Sequence, residues 1–160
     1  MRHFVITRFN IPTNWKVKDE WETNLIWVFK TYAIMSIMKQ TNLDFDWIIY
    51  FKPNGLPKQL KWLKDVKGIH IKEVMTYADF LGRYKQDVKK LCKKTDDIIT
   101  TRFDADDMLG MEYVSTIREL AKKSTELPVV FNPVKTYKID RGLTKVWIDY
   151  RFSGHFVSVL

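Results

Sequence analysis

In Asp97-Ile98-Ile99-Thr100-Thr101-Arg102-Phe103-Asp104-Ala105-Asp106-Asp107, a β-branched run leads directly into three carboxylates within four residues. The run Ile98 to Thr101 reads as a buried strand, and a strand of this kind belongs to the interior of a parallel sheet. The acids then stand just past its carboxyl end, where open α/β sheets bind their ligands. Fold and site are therefore read from one segment.

Working outward, short β-type runs alternate with longer helical patterns, the signature of an α/β domain. A first strand is expected over Phe4 to Thr7, then a loop through Pro12 and Asn14, and a helix from about Lys18. In that helix Trp21, Leu25, Val28, Phe29 and Tyr32 recur at steps of three and four and form one apolar stripe. A second strand, Trp47 to Phe51, is apolar on both faces and is broken by Pro53-Asn54-Gly55. Leu56, Leu60, Leu63 and Val66 mark a second helix with Pro57 near its start. A strand over Ile69 to Val74 and a weaker helix with Tyr84, Val88 and Leu91 on one side lead to the decisive segment. Beyond it, Val114, Ile117, Leu120 and Ala121 form the inner face of another helix. After Pro128 the pattern turns to strands at Val129 to Phe131, Lys135 to Ile139 and Leu143 to Tyr150, the last two joined by Asp140-Arg141-Gly142. The expectation is one α/β domain over residues 1–160: a mostly parallel central sheet flanked by helices, with a C-terminal β-hairpin.

Composition removes several function classes. With 160 residues and 46% hydrophobic content the chain can hold its own core. Its longest apolar runs are five residues, Leu25 to Phe29 and Trp47 to Phe51, too short for a membrane-spanning helix. The start has too short an apolar core for a signal peptide, and a single cysteine, Cys92, makes no internal disulfide, so a cytoplasmic location is expected. No two of the six glycines lie closer than twelve residues, which excludes a Walker loop and a glycine-rich dinucleotide fingerprint. Three scattered histidines and one cysteine exclude a zinc cluster, and no serine sits in a Gly-x-Ser-x-Gly elbow.

The chemistry lies in Asp104, Asp106 and Asp107. Two carboxylates held about 4 Å apart repel by about 4 kcal/mol at an effective dielectric near 20, so a cluster that cannot splay calls for a cation. Hard oxygens select magnesium, manganese or calcium, and such a metal takes phosphate oxygens from a substrate. Three other readings compete. An EF-hand fails because Leu109 stands where its turn glycine belongs and Ser115 where its closing glutamate belongs. An aspartyl nucleophile of the phosphatase type needs a similar strand and Asp-x-Asp, but Met108 replaces the Thr or Val of that pattern. The bland alternative is that the acids cap a helix starting near Met111.

Ile99 to Asp107 resembles the Thr-Thr-Arg-x-Asp-Asn-Asp-Asp block of the rhamnosyltransferase-like family of nucleotide-sugar glycosyltransferases, which have the GT-A fold. Thr7-Arg8-Phe9-Asn10 is similar to that family's opening Arg-Phe-Asn, and Ser36, Gln40-Thr41 and Phe45-Asp46-Trp47 to its Ser-x-x-x-Gln-Thr and Phe-x-Trp blocks. His155 to Leu160 resembles a late Phe-x-Ser-Leu segment. The resemblance implies a metal-dependent sugar transferase. Asp104 and Asp106 would hold Mn²⁺ or Mg²⁺ across the two phosphates of a nucleoside-diphosphate sugar, and Asp107 would support the sugar or the metal shell. Arg102 would be a fixed cation beside the phosphates, and Arg8 and Asn10 would sit at the nucleotide mouth together with Asp104. Two departures stand out. Lys52 replaces the Asp that commonly ends the second strand and reads the nucleoside, and no acid follows Leu160, where relatives carry one. The expectation is thus a donor-binding domain that lacks a C-terminal acceptor segment, with Asp149 as the internal substitute for the missing base and Asp140 the other nearby acid. The acceptor would be a glycan or another hydroxyl-bearing polyanion.

A second function class rests on charge. Lys58 to Lys94 holds eleven Lys or Arg against four Asp or Glu, nearly the whole formal net charge of +8. Such clustering attracts nucleic acid or another polyanion, so a binding module without catalysis is the alternative; its bland counterpart is a pair of helices with solvated lysines. Trp62, Tyr77, Phe80 and Tyr84 interleave only modestly with these charges. Trp21, Trp27 and Trp47 read as core, Trp147 as a sugar-stacking candidate, His70 as surface and Cys92 as a small helix residue.

Overall fold

The computed structural model describes residues 1–11 and 19–124, and the backbone of 130–131, 135–139, 146–150 and 158–159. In chain order the elements are β1 (Arg2–Arg8), α1 (Asp19–Val28), a π-helical turn (Phe29–Ala33), α2 (Ile34–Met38), β2 (Asp46–Phe51) and a 3₁₀ helix (Lys58–Asp65). They continue with β3 (Ile69–Glu73), α3 (Tyr77–Leu91), β4 (Ile98–Arg102), α4 (Tyr113–Lys123), β5 (Val130–Phe131), β6 (Lys135–Ile139), β7 (Val146–Tyr150) and β8 (Ser158–Val159). Six strands form one sheet in the order β3-β2-β1-β4-β8-β5. The first four run parallel; β8 lies antiparallel between β4 and β5. β6 and β7 pair antiparallel as a separate ribbon, the expected hairpin, whose turn at Asp140-Arg141-Gly142 lies outside the described residues. The α/β, GT-A-like architecture read from the sequence is the one observed.

Strand alternation divides the core in two. Val5, Trp47, Ile49 and Phe51 face one side, against Leu25, Phe29, Ala33, Ile34 and Ile37 of the first helical stretch and Leu60 and Leu63 of the 3₁₀ helix. Phe4, Ile6, Ile48 and Tyr50 face the other, under Val88, with Phe80, Tyr84 and Leu91 partly buried on α3. α4 lays Ile117 and Ala121 on Ile99. Burial of this aromatic and aliphatic surface, at about 25 cal/mol per Å², is what holds the layers together.

Several expectations need correction. Trp47 is core, but Trp21 and Trp27 are 47% and 55% exposed. The buried line on this stretch is Leu25, Phe29, Ala33 and Ile37, and the π turn between the two helices sets its register. The second helix is 3₁₀ rather than α: Leu60 and Leu63 are the buried pair, three residues apart, and one 3₁₀ turn places such a pair on the same side. Leu120 is 42% exposed, while Val114, Ile117 and Ala121 form the inner face of α4. His70 lies on edge strand β3, half-buried, with Nε2 2.9 Å from Asp46 Oδ1. β8, only two residues long and paired with strands distant in sequence, has no local signal. Among the described residues no helix is long and apolar enough to cross a membrane.

Candidate active site

Past Arg102 the chain keeps a two-residue alternation: Phe103 and Ala105 are buried, Asp104 is half-buried and Asp106 exposed. Asp104 and Asp106 thus both stand away from the core, with the chain turning at residues 105–106 between them. The Phe103 N–H donates to the Ile6 carbonyl (2.9 Å), and the Asp107 N–H closes a turn on the Asp104 carbonyl (3.1 Å). The Asp107 carboxyl is half-buried and its Oδ2 has no hydrogen-bond partner. Burial, then the neighbouring Asp106 and Asp104, push it up to about 7 against the opposing pull of Arg102. α4 begins only at Tyr113, with Glu112 as N-cap and no side-chain cap, so the acids do not cap it.

Arg102 clasps Asp104 with two bonds, Nε to Oδ1 at 3.1 Å and Nη2 to Oδ2 at 2.6 Å, the fork geometry that guanidinium and carboxylate favour. This pair borders a cleft of about 190 Å³, lined from the sheet by Ile6, Arg8 and Thr100 and from α3 by Tyr77, Phe80, Leu81 and Tyr84. Phe80 stacks on Tyr77 and on Tyr84, with ring centroids 5.9 and 5.5 Å apart. The Arg8 guanidinium lies 4.9 Å over the Tyr77 ring, a cation–π contact. β1 and β4 are adjacent and parallel, with Ile6 opposite Arg102, so their last residues deliver Arg8, Arg102 and Asp104 to one place.

Asn10 and Lys52 lie outside this cleft. Asn10 is buried: its Nδ2 donates to Glu22 (2.9 Å) and the Gly55 carbonyl (3.0 Å), and its Oδ1 accepts from the Lys52 N–H (3.1 Å). Lys52, in the position where the resemblance would place a nucleoside-reading Asp, pairs with Glu22 at 2.8 Å. This knot ties the loops after β1 and β2 to α1, and a Cβ on Gly55 would collide with the Lys52 side chain and carbonyl. Asp149 lies on β7 opposite Thr136, and Trp147 opposite Lys138. Their side chains, and Asp140 altogether, lie outside the described residues.

Among the described residues no group of three or more His, Cys, Asp or Glu is arranged to hold a metal ion. What fits a cation is narrower: a single orphaned oxygen, Asp107 Oδ2, on the same loop as Asp104 and Asp106. The basic residues between Lys58 and Lys94 do not share a face: the 3₁₀ helix packs on one side of the sheet, α3 on the other, and β3 is the edge between them. The Trp62 indole bonds the Gln59 carbonyl at 3.1 Å. Cys92 stands just past the last residue of α3, and burial pushes its thiol up. The α3 wall is the part of the cleft that sequence reasoning missed. Its signals were Tyr77, Phe80 and Tyr84 at steps of three and four and the capping box Thr76-x-x-Asp79 that starts the helix.

No curated protein matches the chain. A family model does, over residues 13–143, which includes Arg102 and all three acids but leaves Arg8, Asn10 and Asp149 outside the match. The chain belongs to that family, a glycosyltransferase family described as "Putative rhamnosyl transferase".

Proposed function

We propose that the chain transfers a sugar from a nucleoside-diphosphate donor, binding the donor in the cleft between β1, β4 and α3 with Mn²⁺ or Mg²⁺ on Asp104 and Asp106. The observation that carries this reading is the convergence of Arg8, Arg102 and Asp104 on one cleft at the carboxyl ends of parallel strands. Two guanidiniums suit two phosphates, and the rings of α3 offer a surface for a flat base. A cleft of about 190 Å³ is smaller than sites that enclose a whole ligand, so it takes one end of the donor while the sugar lies towards the acidic loop. A divalent ion, when bound, neutralises the charge that grows on the departing diphosphate. Asp104 and Asp106 offer it hard oxygens, and Asp107 either completes its shell or faces the sugar. Arg102, paired with Asp104 in the free chain, would be free to meet a phosphate if Asp104 turned to a metal. In the metal-free chain burial and the neighbouring carboxylates push the Asp107 carboxyl up to about 7, the range in which a carboxyl can exchange a proton near neutral pH. Asp149 remains the other candidate base for the acceptor hydroxyl.

A thermal-shift series tests this. A ligand at 100 times its dissociation constant stabilises by about 2.7 kcal/mol. Nucleoside diphosphates are expected to raise the melting temperature only with Mn²⁺ or Mg²⁺ present, with little salt dependence, and Asp106→Ala is expected to lose that response while still folding. If instead DNA or RNA stabilises steeply at low salt and no nucleotide does with any metal, the polyanion-binding module is the right class.

A further inference from the structure

Ser36 and Gln40-Thr41 belong to the end of α2 and the turn after it, outside the cleft, yet their bonds reach the loop that follows the acidic cluster. Gln40 is 4% exposed, and both ends of its amide are used. Its Nε2 donates to the Gly110 carbonyl (2.7 Å) and to the Ser36 carbonyl (2.9 Å), and its Oε1 accepts from the Val114 N–H (3.0 Å). Ser36 Oγ accepts from the Leu109 N–H (3.2 Å) and donates to the Ala33 carbonyl (2.8 Å). The Thr41 N–H donates to the Met111 carbonyl at 2.9 Å. Residues 109–114 are thus gripped from about seventy positions upstream.

The grip matters because of what precedes it. Between β4 and α4 the backbone has only turns, and it carries three carboxylates that repel one another. Ala105 and Leu109 pin it from below by burial. Without the Gln40 and Ser36 bonds the 109–114 stretch would keep the Thr41–Met111 bond and the burial of Leu109 and Val114, but would lose its side-chain anchors at Leu109, Gly110 and Val114, and the acids before it would be freer to splay into water. A buried, fully bonded amide is a rigid anchor: each polar atom left unpaired would cost about 1–3 kcal/mol.

We infer that Gln40, supported by Ser36, is a positioning residue: it holds the 109–114 loop and, through it, the place of the preceding Asp106 and Asp107, on which the binding of a divalent cation with a diphosphate depends. This rests on the donor-site reading above. The partners that orient metal ligands typically govern affinity by about tenfold to a hundredfold, although they never touch the ion.

The experiment measures Mn²⁺ binding by the loss of the free-ion paramagnetic resonance signal, with manganese alone and with uridine, guanosine or thymidine diphosphate in turn. The full chain is compared with Gln40→Met, Ser36→Ala and Leu91→Ala. Leu91→Ala is the control, since it loosens α3 at the end away from Tyr77 and the cleft. Gln40→Met is expected to weaken Mn²⁺ binding about tenfold or more, with and without nucleotide, while Leu91→Ala binds as the wild type does despite its lower melting temperature. Gln40→Met binding like the wild type, or losing no more than Leu91→Ala, overturns the inference. Should Gln40→Met not fold, Ser36→Ala decides, since it removes only the hydroxyl that receives the Leu109 N–H: weakened Mn²⁺ binding supports the inference and unchanged binding overturns it. A wild-type chain that binds neither Mn²⁺ nor any nucleotide overturns the donor-site reading itself, and the inference with it.

Discussion

His3 and Asp107 are ionisable groups on which burial acts in opposite senses. His3 is enclosed in the sheet, with Nε2 2.8 Å from Thr101 Oγ1 and Nδ1 without a partner. Burial, with Arg118 adding to it, pulls its imidazole down from 6.5 to about 3. The unfolded chain therefore binds more protons at this site between those values, so the contribution of His3 to stability is complete above about pH 6.5 and is lost as pH falls towards 3. Asp107 moves from 3.8 up to about 7, so the folded chain holds the extra proton; its contribution is complete below about pH 4 and is lost as pH rises through 7. Each slope can reach about 1.4 kcal/mol per pH unit, and the two oppose. With divalent ions chelated, the wild type is expected to show a shallow dependence of its urea midpoint between pH 4.5 and 6.5. Asp107→Asn should leave the His3 slope, a midpoint rising with pH, and His3→Gln the Asp107 slope, a midpoint falling with pH. Parallel profiles for all three proteins would show that neither group is perturbed in the folded chain.

At the scale of elements, α3 supplies the cleft wall and is started by a reciprocal cap. The Asp79 N–H donates to Thr76 Oγ1 (3.1 Å), and the Thr76 N–H donates to Asp79 Oδ2 (3.0 Å). Thr76→Ala is expected to cost about 1 kcal/mol in urea unfolding, Asp79→Ala a similar amount, and the double variant less than the sum, because each single change already breaks the exchange. Additive costs would show that the two bonds are independent. The same element marks where the sequence was legible and where it was not. β1, β2 and β4 announce themselves by apolar or β-branched runs because both their faces are covered, and the acids after β4 were readable because three carboxylates crowd into four residues directly past such a run. The 3₁₀ helix hides its type, since residues spaced by three and four also suit an α-helix. Trp21 and Trp27 mislead because a bulky apolar residue on a helix flank looks like core until the π turn fixes which line is buried. Asn10 has the residue type of a ligand contact, yet the Lys52, Glu22 and Gly55 groups that engage it lie 12 to 45 positions away. Pairings of that range have no local signal.

At the scale of the whole molecule, the parallel order β2-β1-β4 brings chain ends nearly a hundred residues apart to one rim of the sheet. On that rim the positive charges of Arg8 and Arg102 stand with Asp104 around one cleft, the arrangement from which the proposed donor site is read. The lysine excess is distributed around the β3 edge instead of being gathered at the rim, so it sets the overall field of the protein without forming the site. The central claim is that this rim is where the donor binds, and the most direct measurement is a crystal structure of the chain soaked with Mn²⁺ and a nucleoside diphosphate. Metal density is expected on Asp106 and Asp104, with the diphosphate beside Arg102 and Arg8, Arg102 released from Asp104, and the base against Tyr77 and Phe80. Nucleotide bound among the lysines of the 3₁₀ helix or α3, with Arg102 still clasping Asp104 and no metal on the acids, would contradict it.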